Sequence, residues 1–288
     1  MTISRRFKKY LLITLGSLVL VCLTLVLWAF VVEPDRLVVN EVSIRLPNWP
    51  TAFERLRVVL ISDLHVGSPY IDSAKLQRIV QTINGAQPDL ILLAGDYMVT
   101  DKGSGQTIEP EIIAAELKPL RARFGVFAVL GNHDWWYDGE RVMRAFNEAG
   151  IRVLENDVMQ IQHQGQSLWL AGIADAWTRK PDINGTLQKV TDNGPVIVLT
   201  HNPDIFPRIP ARVGLTLAGH THGGQVNIPF IGRPQVPSQF KQRYAIGHIV
   251  EENRHLFVTP GIGTSIRPVR FRVPPEISIL TITLQPTS

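Results

Sequence analysis

The chain is almost free of cysteine, because its 288 residues include only Cys22. A single thiol excludes an intramolecular disulfide and any metal site built from several thiolates. Internal repeats and low-complexity tracts are also absent, and 45% of the residues are hydrophobic. The composition therefore predicts an ordered globular domain with a substantial core.

Acidic residues are missing from the first 32 positions, and from Tyr10 to Val32 no charged residue of either sign occurs. At about 1.5 Å per residue, a helix of this length spans about 34 Å, which is enough to cross a bilayer core. We expect a basic tail at 1–9, a transmembrane signal-anchor helix at 10–32, a linker at 33–37 and one folded domain at 38–288. A cleaved signal peptide is the alternative, but no A-x-A site follows the apolar run, and Lys8 and Lys9 interrupt a twin-arginine pattern.

The distribution of charge orients this anchor and argues against a nucleic-acid partner. Four basic residues precede the apolar run, so the positive-inside rule leaves the amino terminus in the cytoplasm and places the domain on the other side. Without those four residues, the chain has 25 basic and 25 acidic residues. A basic face for binding nucleic acid is therefore not expected.

The remainder alternates apolar strands with amphipathic helices, which predicts a layered α/β domain with added β-hairpins. The helices are expected at Asp72–Asn84, Pro110–Leu120 and Gly139–Ala149. Short apolar runs predict strands, and these are Val38–Leu46, Arg57–Ile61, Asp89–Ala94, Gly125–Leu130, Ile151–Leu154, Val158–His163, Ser167–Ile173, Pro195–Thr200, Gly214–Ala218, Tyr244–Val250, His255–Val258 and Ile277–Leu284.

Five of these strands are each followed at once by polar side chains. The groups are Asp63 with His65, Asp96, Asn132 with His133, His201, and His220 with His222. Ligands in α/β sheets gather beyond the carboxyl ends of strands, so we expect these groups to converge. Carboxylate, amide and imidazole donors without thiolate suit Mn, Fe or Zn, and there are enough of them for two divalent ions. An ordinary turn remains the alternative for each motif taken alone.

The order D-x-H, G-D, G-N-H-D, H, G-H-x-H resembles the signature of the calcineurin-like metallophosphoesterases. This resemblance implies a four-layer α-β-β-α sandwich and a binuclear metal centre. It assigns Asp63, His65, Asp96 and His222 to one ion, and Asp96, Asn132, His201 and His220 to the other. It makes His133 the catalytic residue beside the substrate phosphate and its leaving group. Attack on a P–O bond would come from a hydroxide that bridges the two ions.

The Gly-Gly-Gln after His222, the amino-terminal anchor and the segment Pro260–Ser265 resemble the membrane-associated bacterial phosphodiesterases of the YkuE/YaeI type. This closer resemblance implies a hydrolase at the bacterial inner membrane, with its domain in the periplasm or outside the cell. The substrate would be a phosphodiester, and the short connection to the anchor suggests a lipid-linked or envelope phosphate. Hydrolysis of the pyrophosphate of UDP-2,3-diacylglucosamine is an alternative, and a non-catalytic metal-binding scaffold is another.

Three further residues are candidates for binding substrate. Arg267 and Arg270 lie close to the Gly261–Ser265 turn and could hold a phosphate, while Trp135 could line a substrate groove. Structural or solvent-exposed roles are the alternative for all three. Asp134 is expected to orient a ligand histidine.

Overall fold

Two six-stranded β-sheets packed face to face form the centre of the molecule in a computed structural model, which describes residues 5–101 and 103–285. The strands of the first sheet are β1 (Val38–Leu46), β2 (Leu56–Ile61), β3 (Leu90–Leu93), β4 (Val126–Ala128), β5 (Arg152–Val153) and β12 (Glu276–Leu284). The strands of the second are β6 (Asp157–His163), β7 (Gln166–Ile173), β8 (Val196–Thr200), β9 (Val213–Ala218), β10 (Gly247–Glu251) and β11 (Arg254–Val258). The orders are β1-β12-β2-β3-β4-β5 and β10-β11-β9-β8-β7-β6.

Helices cover the outer faces of both sheets. The helices outside the first sheet are α2 (Ser73–Gly85), α3 (Pro110–Leu117) and α4 (Asn132–Glu148), and α5 (Ile183–Gln188) lies outside the second. Three buried clusters separate the layers: one between the first sheet and its helices, one between the sheets, and one outside the second sheet. The predicted four-layer α-β-β-α sandwich is therefore confirmed.

Parallel pairing of neighbouring strands places their carboxyl ends at the same edge of each sheet. Strands β2, β3 and β4 are parallel neighbours in the first sheet, and β7, β8 and β9 are parallel neighbours in the second. Their hydrophobic runs are buried on both faces, as expected for parallel strands. The carboxyl ends of β2, β3 and β4 therefore lie together, and so do those of β8 and β9.

The amino-terminal helix α1 (Arg5–Leu27) continues through a π turn at Trp28–Val32 and a short 3-10 turn at Glu33–Asp35. Within the described residues, this is the one helix that is long and apolar enough to cross a membrane. None of the side chains of α1 is buried against the rest of the chain. An amphipathic helix of a globular core would bury one face, so this exposure fits the predicted anchor.

The segment predicted as a linker at 33–37 is attached to the domain at its beginning. The Glu33 carboxylate is buried and accepts hydrogen bonds from the backbone N–H of Val273 and from the Trp28 indole, both at 2.6 Å. The Lys75 ammonium pairs with Asp35 at 2.8 Å. The end of the amino-terminal helix is therefore packed against the domain, and residues 33–35 are not a free connection.

Helix α4 begins seven residues before the predicted start at Gly139. Its first turn contains Asn132 and His133, and the chain breaks helical geometry at Asp138, with φ −169° and ψ 83°. The backbone N–H of Gly131 donates to the Asp134 carboxylate at 2.9 Å, which caps this first turn. The helix predicted from Gly139 is confirmed as the part of α4 after Asp138, and the prediction missed the helical turn before Asp138 because that turn carries no apolar period of its own.

Candidate metal centre

The five polar groups predicted after strand ends meet at one place between the two sheets. Three of them follow β2, β3 and β4 in the first sheet, and two follow β8 and β9 in the second. All seven predicted metal ligands are buried, with at most 5% exposure. These side chains are Asp63, His65, Asp96, Asn132, His201, His220 and His222.

The first group joins Asp63, His65 and His222, whose potential ligand atoms all lie within 4.8 Å of one another. His222 Nε2 is 3.3 Å from Asp63 Oδ1 and 3.3 Å from His65 Nε2. Donor atoms that share an ion at about 2.1 Å lie roughly 3.4 Å apart in tetrahedral geometry. The spacing therefore matches a common coordination shell.

The second group joins Asp96, His201 and His220. His201 Nε2 lies 3.2 Å from Asp96 Oδ2 and 3.1 Å from His220 Nδ1. Asp96 Oδ2 is also 3.8 Å from His65 Nε2, which belongs to the first group. One carboxylate oxygen thus lies between the two groups, and the pair of clusters fits a dinuclear site for divalent ions.

Several buried polar atoms at this site have no hydrogen-bond partner among the residues that the structure describes. They include Asp63 Oδ1 and Asn132 Oδ1. A buried polar atom without a partner costs free energy, about 1–3 kcal/mol. Cation ligation would satisfy such lone pairs, so the donor set fits two bound ions.

The backbone is held in the left-handed region at five of the seven predicted ligands. The φ angles are 53° at Asp63, 42° at His65, 58° at Asp96, 69° at His220 and 51° at His222. This conformation is uncommon outside glycine and costs about 1–3 kcal/mol where the surroundings impose it. Its concentration in one cluster indicates a geometry kept for function.

Burial lowers the pKa of His65 to about 4 and that of His220 to about 3, and it holds the pKa of His222 well below the ordinary value. Burial also acts on His201, but the carboxylates of Asp96 and Asp63 outweigh it and raise its pKa to about 10. Neutral imidazole is the form that ligates metals, so most of the histidines need no deprotonation. His201 would lose its proton to a bound cation.

Backbone carbonyl groups orient two of the imidazoles. His65 Nδ1 lies 2.9 Å from the carbonyl oxygen of Met98, and His201 Nδ1 lies 2.7 Å from that of Ala94. An Nδ1–H that donates to a carbonyl leaves the Nε2 lone pair free. In both residues Nε2 is the atom that faces the other ligands.

Glycines bring the loops close enough for this arrangement. A Cβ at Gly219 would lie 2.0 Å from Ser62 Oγ and 2.7 Å from Asp63 Oδ2. A Cβ at Gly131 would lie 2.2 Å from Asp96 Oδ1. Both positions exclude any side chain because the ligand loops pass directly against them.

Replacing Gly131 by alanine is expected to lower phosphoesterase activity about tenfold to a hundredfold, because overpacking of about 1–3 kcal/mol would displace the Asp96 carboxylate. Gly85→Ala is the matched control, since a Cβ there meets nothing within 4 Å. Bound metal and turnover would be measured for both variants. Normal metal content and turnover in Gly131→Ala would show that the Asp96 carboxylate does not pass as close to Gly131 as the structure indicates.

His133 lies next to both groups, and one of its ring nitrogens is within 4.8 Å of donor atoms of His65 and Asp96. Its backbone N–H donates to Asp96 Oδ1 at 2.9 Å. Its Nδ1 lies 2.6 Å from Thr100 Oγ1, and its Nε2 lies 3.9 Å from Asp101 Oδ2. The Thr100 hydroxyl thus orients the ring through Nδ1, and Nε2 faces the Asp101 carboxylate.

Asp134 acts on backbone rather than on a histidine. Its carboxylate accepts hydrogen bonds from the N–H groups of Asp96, Tyr97 and Met98 at 2.9, 2.8 and 3.1 Å, besides that of Gly131. It therefore shapes the loop that presents Asp96 to the site. The prediction that it orients a ligand histidine was wrong.

A cleft of about 670 Å³ opens above Asp96, His133 and His220. Two exposed tryptophans stand on its walls. Trp136 packs edge-on against His133 with ring centroids 4.9 Å apart, and Trp177 packs against His220 at 4.3 Å. These aromatic faces can contact the groups esterified to a phosphate.

Trp135, the predicted groove residue, does not line this cleft. It is half-buried against the helical layer, and the Arg179 guanidinium lies 4.2 Å above its ring. Successive residues of a helix point about 100° apart, so in the first turn of α4 one tryptophan faces the core and the next faces the cleft. The neighbouring residue Trp136, and not Trp135, lines the cleft.

The two predicted arginines occupy different environments. Arg267 is exposed and lines the cleft. Arg270 is completely buried, and its guanidinium donates to the carbonyl oxygens of Gly263 at 2.6 Å and Val273 at 3.0 Å, and also to those of Pro260 and Gly261. Its donors are engaged by backbone, so Arg270 holds the loop from Pro260 to Val273 and is not positioned to bind substrate.

Replacing Arg270 by methionine is expected to destabilise the domain by about 3 kcal/mol, because several buried carbonyls lose a charged donor. For a domain of this size, the melting temperature should fall by roughly 6–12 °C. Thermal unfolding of the full chain in detergent measures this change. Arg267→Gln is the matched control and should leave the melting temperature within about 1–2 °C of the parent. An equal change in melting temperature in the two variants would contradict the structural role of Arg270.

Asp101 and Trp177 at the cleft, and Thr100 beside His133, are site residues that the sequence did not reveal. Thr100 and Asp101 follow the Gly95-Asp96 motif by four and five positions, with no pattern that marks them. Trp177 belongs to a turn in which the buried Asp175 carboxylate accepts its backbone N–H at 3.0 Å. Only the folded loops bring these residues to the site.

Known proteins share this sequence pattern. The calcineurin-like phosphoesterase family matches residues 56–235. The metallophosphoesterase YkuE of Bacillus subtilis is 31% identical over 258 residues, covering 88% of each chain. Phosphodiesterase YaeI of Escherichia coli is 30% identical and covers 78% of this chain and 82% of its own. UDP-2,3-diacylglucosamine pyrophosphatase LpxG of Chlamydia trachomatis is 25% identical and covers 90% and 93%.

Among solved structures, Haemophilus influenzae NAD nucleotidase aligns with a TM-score of 0.47 at 14% identity, over 72% of this chain and 45% of its own. The family match, by contrast, spans the loops that carry every predicted ligand from Asp63 to His222. The chain belongs to the calcineurin-like phosphoesterases and is a hydrolase that acts on phosphoric esters.

Proposed function

We propose that this chain is a membrane-anchored phosphodiesterase with two divalent metal ions. The observation that carries the proposal is the position of Asp96 between two ligand clusters, with His133 at the same cleft. One ion would be held by Asp63, His65, Asp96 and His222, and the other by Asp96, Asn132, His201 and His220. Mn, Fe and Zn all suit these donors.

Bound ions of this kind neutralise phosphate charge and activate water for in-line attack. The contribution of the chain is to position the substrate and to move a proton. Arg267 at the cleft wall can hold a non-reacting phosphate oxygen. His133 can donate a proton to the leaving alkoxide, with Asp101 stabilising its imidazolium and Thr100 fixing the ring.

The lining of the cleft favours a diester over a monoester. Among the described residues that line it, Arg267 is the one with a permanent positive charge, while Asp96 and Asp101 are acidic. A phosphodiester carries a single negative charge and needs fewer cations than a doubly charged monoester. Trp136 and Trp177 can contact the second esterified group, which a monoester lacks.

The similarity to LpxG favours pyrophosphate hydrolysis as a second candidate, because it extends over nearly the whole of both chains. Full-length protein in detergent with Mn or Zn distinguishes the two. We expect the highest kcat/KM on bis(4-nitrophenyl) phosphate, a lower value on 4-nitrophenyl phosphate, and the lowest on UDP-2,3-diacylglucosamine. A pyrophosphate preference of tenfold or more, about 1.4 kcal/mol, would replace the diester proposal.

The proposed anchor and its orientation rest on the uncharged run from Tyr10 to Val32 and the basic residues before it. A reporter fused to the carboxyl terminus tests which side of the bacterial inner membrane holds the domain. We expect activity of a periplasmic reporter such as alkaline phosphatase. Activity of a cytoplasmic reporter in its place would contradict the orientation and would favour a cytoplasmic nucleotide substrate.

A further inference from the structure

Among the described residues of the folded domain, the three large apolar side chains with the greatest exposed fraction lie beside the mouth of the cleft. Phe230 is fully exposed, Ile231 is 69% exposed, and Ile266 is 64% exposed. Phe230 and Ile231 form the turn of a loop whose flanks, including Val226 and Pro234, line the cleft. Ile266 is on the opposite loop and also lines the cleft.

Two of these residues have a backbone conformation that their side chains disfavour. The φ angle is 66° at Phe230 and 63° at Ile266. A left-handed conformation is uncommon for a bulky residue and an outlier for a β-branched one. Within the part of the chain that the structure describes, both side chains stay largely exposed, so little packing offsets this cost, which points to contact with something outside the chain.

The end of the anchor is hydrogen-bonded to the loop that contains Ile266, and that loop is hydrogen-bonded to the loop that contains Phe230. The backbone N–H of Arg270 donates to the carbonyl of Ala29 at 2.9 Å. The next residue, Phe271, accepts a hydrogen bond from Asn227 N–H at 2.9 Å. Phe230 is three residues beyond Asn227, a reach of at most about 10 Å. The apolar turn thus lies close to the point at which the anchor enters the domain.

Charge in this region fits an anionic bilayer surface. The loop from 226 to 246 contains the exposed Lys241 and the half-buried Arg233, and the segment from 260 to 275 contains the exposed Arg267 and Arg272. Neither range contains an acidic residue, although Arg243 is paired with Glu251 and Arg270 is buried. Basic residues near a membrane are attracted to anionic lipid headgroups, and bulky apolar side chains enter the interface between headgroups and acyl chains. The mouth of the cleft therefore combines both features of an interfacial surface.

We propose that Phe230, Ile231 and Ile266 form a membrane-contacting rim that seats the mouth of the cleft on the bilayer holding the anchor. The substrate class is then a phosphoester whose headgroup projects from that bilayer. This inference rests on the proposed anchor and activity. It adds that the phosphate reaches Arg267 and the metal centre from the lipid surface and not from bulk water.

The single native cysteine makes a direct test possible. Cys22 is in the anchor, so its nitroxide label reports whether the anchor is in the bilayer. In a Cys22→Ser background, separate Phe230→Cys and Ile266→Cys variants report the rim. Val250→Cys is the matched control, because Val250 is an exposed apolar residue on strand β10. Each full-length protein is reconstituted in vesicles of phosphatidylethanolamine and phosphatidylglycerol.

Power-saturation EPR compares collisions of each label with oxygen and with a water-soluble nickel complex. We expect the labels at Cys22, Phe230 and Ile266 to favour oxygen, and the label at Val250 to favour nickel. If the label at Cys22 favours oxygen while the label at position 230 favours nickel, the anchor is in the bilayer but the proposed rim is not, and the rim proposal is overturned. An aqueous signal at Cys22 overturns the anchor and, with it, the rim.

Activity gives a second test that separates the rim from the catalytic proposal. The double variant Phe230→Ser/Ile231→Ser should lose about tenfold in kcat/KM on a phosphodiester lipid in vesicles, since two apolar side chains leave the interface. Its rate on soluble bis(4-nitrophenyl) phosphate should be unchanged, and Val250→Ser should change neither. Equal losses on both substrates, or none on either, overturn the rim. No hydrolysis of the soluble diester by the parent protein overturns the proposed activity instead.

Discussion

The Asp96→Asn variant is expected to lose at least about three orders of magnitude in kcat, equivalent to roughly 4 kcal/mol of transition-state stabilisation. Asp96 Oδ2 lies between the two ligand clusters, and its Oδ1 accepts the backbone N–H of His133. An amide is neutral and offers one acceptor oxygen, so it cannot serve both functions. It would also leave His201 without the carboxylate that it contacts at 3.2 Å.

Metal content separates this explanation from misfolding. We expect bound metal in Asp96→Asn to fall from two ions per chain to one or fewer, while the melting temperature measured with chelator stays close to that of the parent. Glu148→Gln is the control, because Glu148 is an exposed carboxylate at the end of α4. Two tightly bound ions together with near-normal turnover in Asp96→Asn would show that the Asp96 carboxylate is not needed as a ligand of both ions.

The His133→Gln variant should keep both metal ions and lose turnover in a way that depends on the leaving group. Glutamine retains a polar side chain but cannot deliver a proton as a general acid, a function worth about 10²–10⁴ in rate. The full loss is expected for a diester with an alkyl leaving group. A smaller loss is expected for 4-nitrophenolate, which is a weak base and leaves without protonation.

Comparing the two substrates in parent and variant tests this role more sharply than either rate alone. Thr100→Val provides the matched positioning variant, since it removes the hydroxyl 2.6 Å from His133 Nδ1 and leaves the imidazole in place. It should show the same leaving-group pattern with a smaller amplitude. Equal losses on both substrates in His133→Gln would mean that His133 does not supply the proton.

The layered fold was predictable because its strands carry strong local signals. The buried runs in β2, β3, β8 and β9 are mostly apolar, with Thr216 as an interior polar residue in β9, and a polar residue with chemical function follows each one. The parallel arrangement then brings those ends together whatever the lengths of the connecting helices. The sequence did not show that the ends come from two different sheets, because strand order depends on packing between distant segments.

The errors occurred where one side chain depends on the path of a loop. Arg270 and Arg267 are three residues apart and chemically identical, yet one is enclosed by carbonyls and the other lines the cleft. Trp136 lines the cleft in place of Trp135, because a helical turn precedes the predicted start of α4. Asp134 was recognised as a supporting residue, but its actual partners, the N–H groups of 96–98, have no side-chain signature.

The attachment of the amino-terminal helix to the domain also changes how the protein should be studied. Removing the chain before residue 33 would delete Trp28 and Ala29, which contact Glu33 and Arg270. Arg270 in turn holds the carbonyls of Gly261 and Gly263, and Gly263 N–H donates to the carbonyl of Asp63 at 2.7 Å. Full-length protein in detergent is therefore the appropriate material for measuring the metal centre.

Titration of the metal-free, full-length chain with Mn²⁺, following bound metal and hydrolysis of bis(4-nitrophenyl) phosphate in the same samples, tests the central claim most directly. We predict saturation at two ions per chain, with hydrolysis appearing only as the second ion binds. Binding of a single ion at saturation, or two ions without hydrolysis under this metal or under Zn²⁺ and Fe²⁺, would contradict a dinuclear phosphodiesterase and favour a metal-binding scaffold.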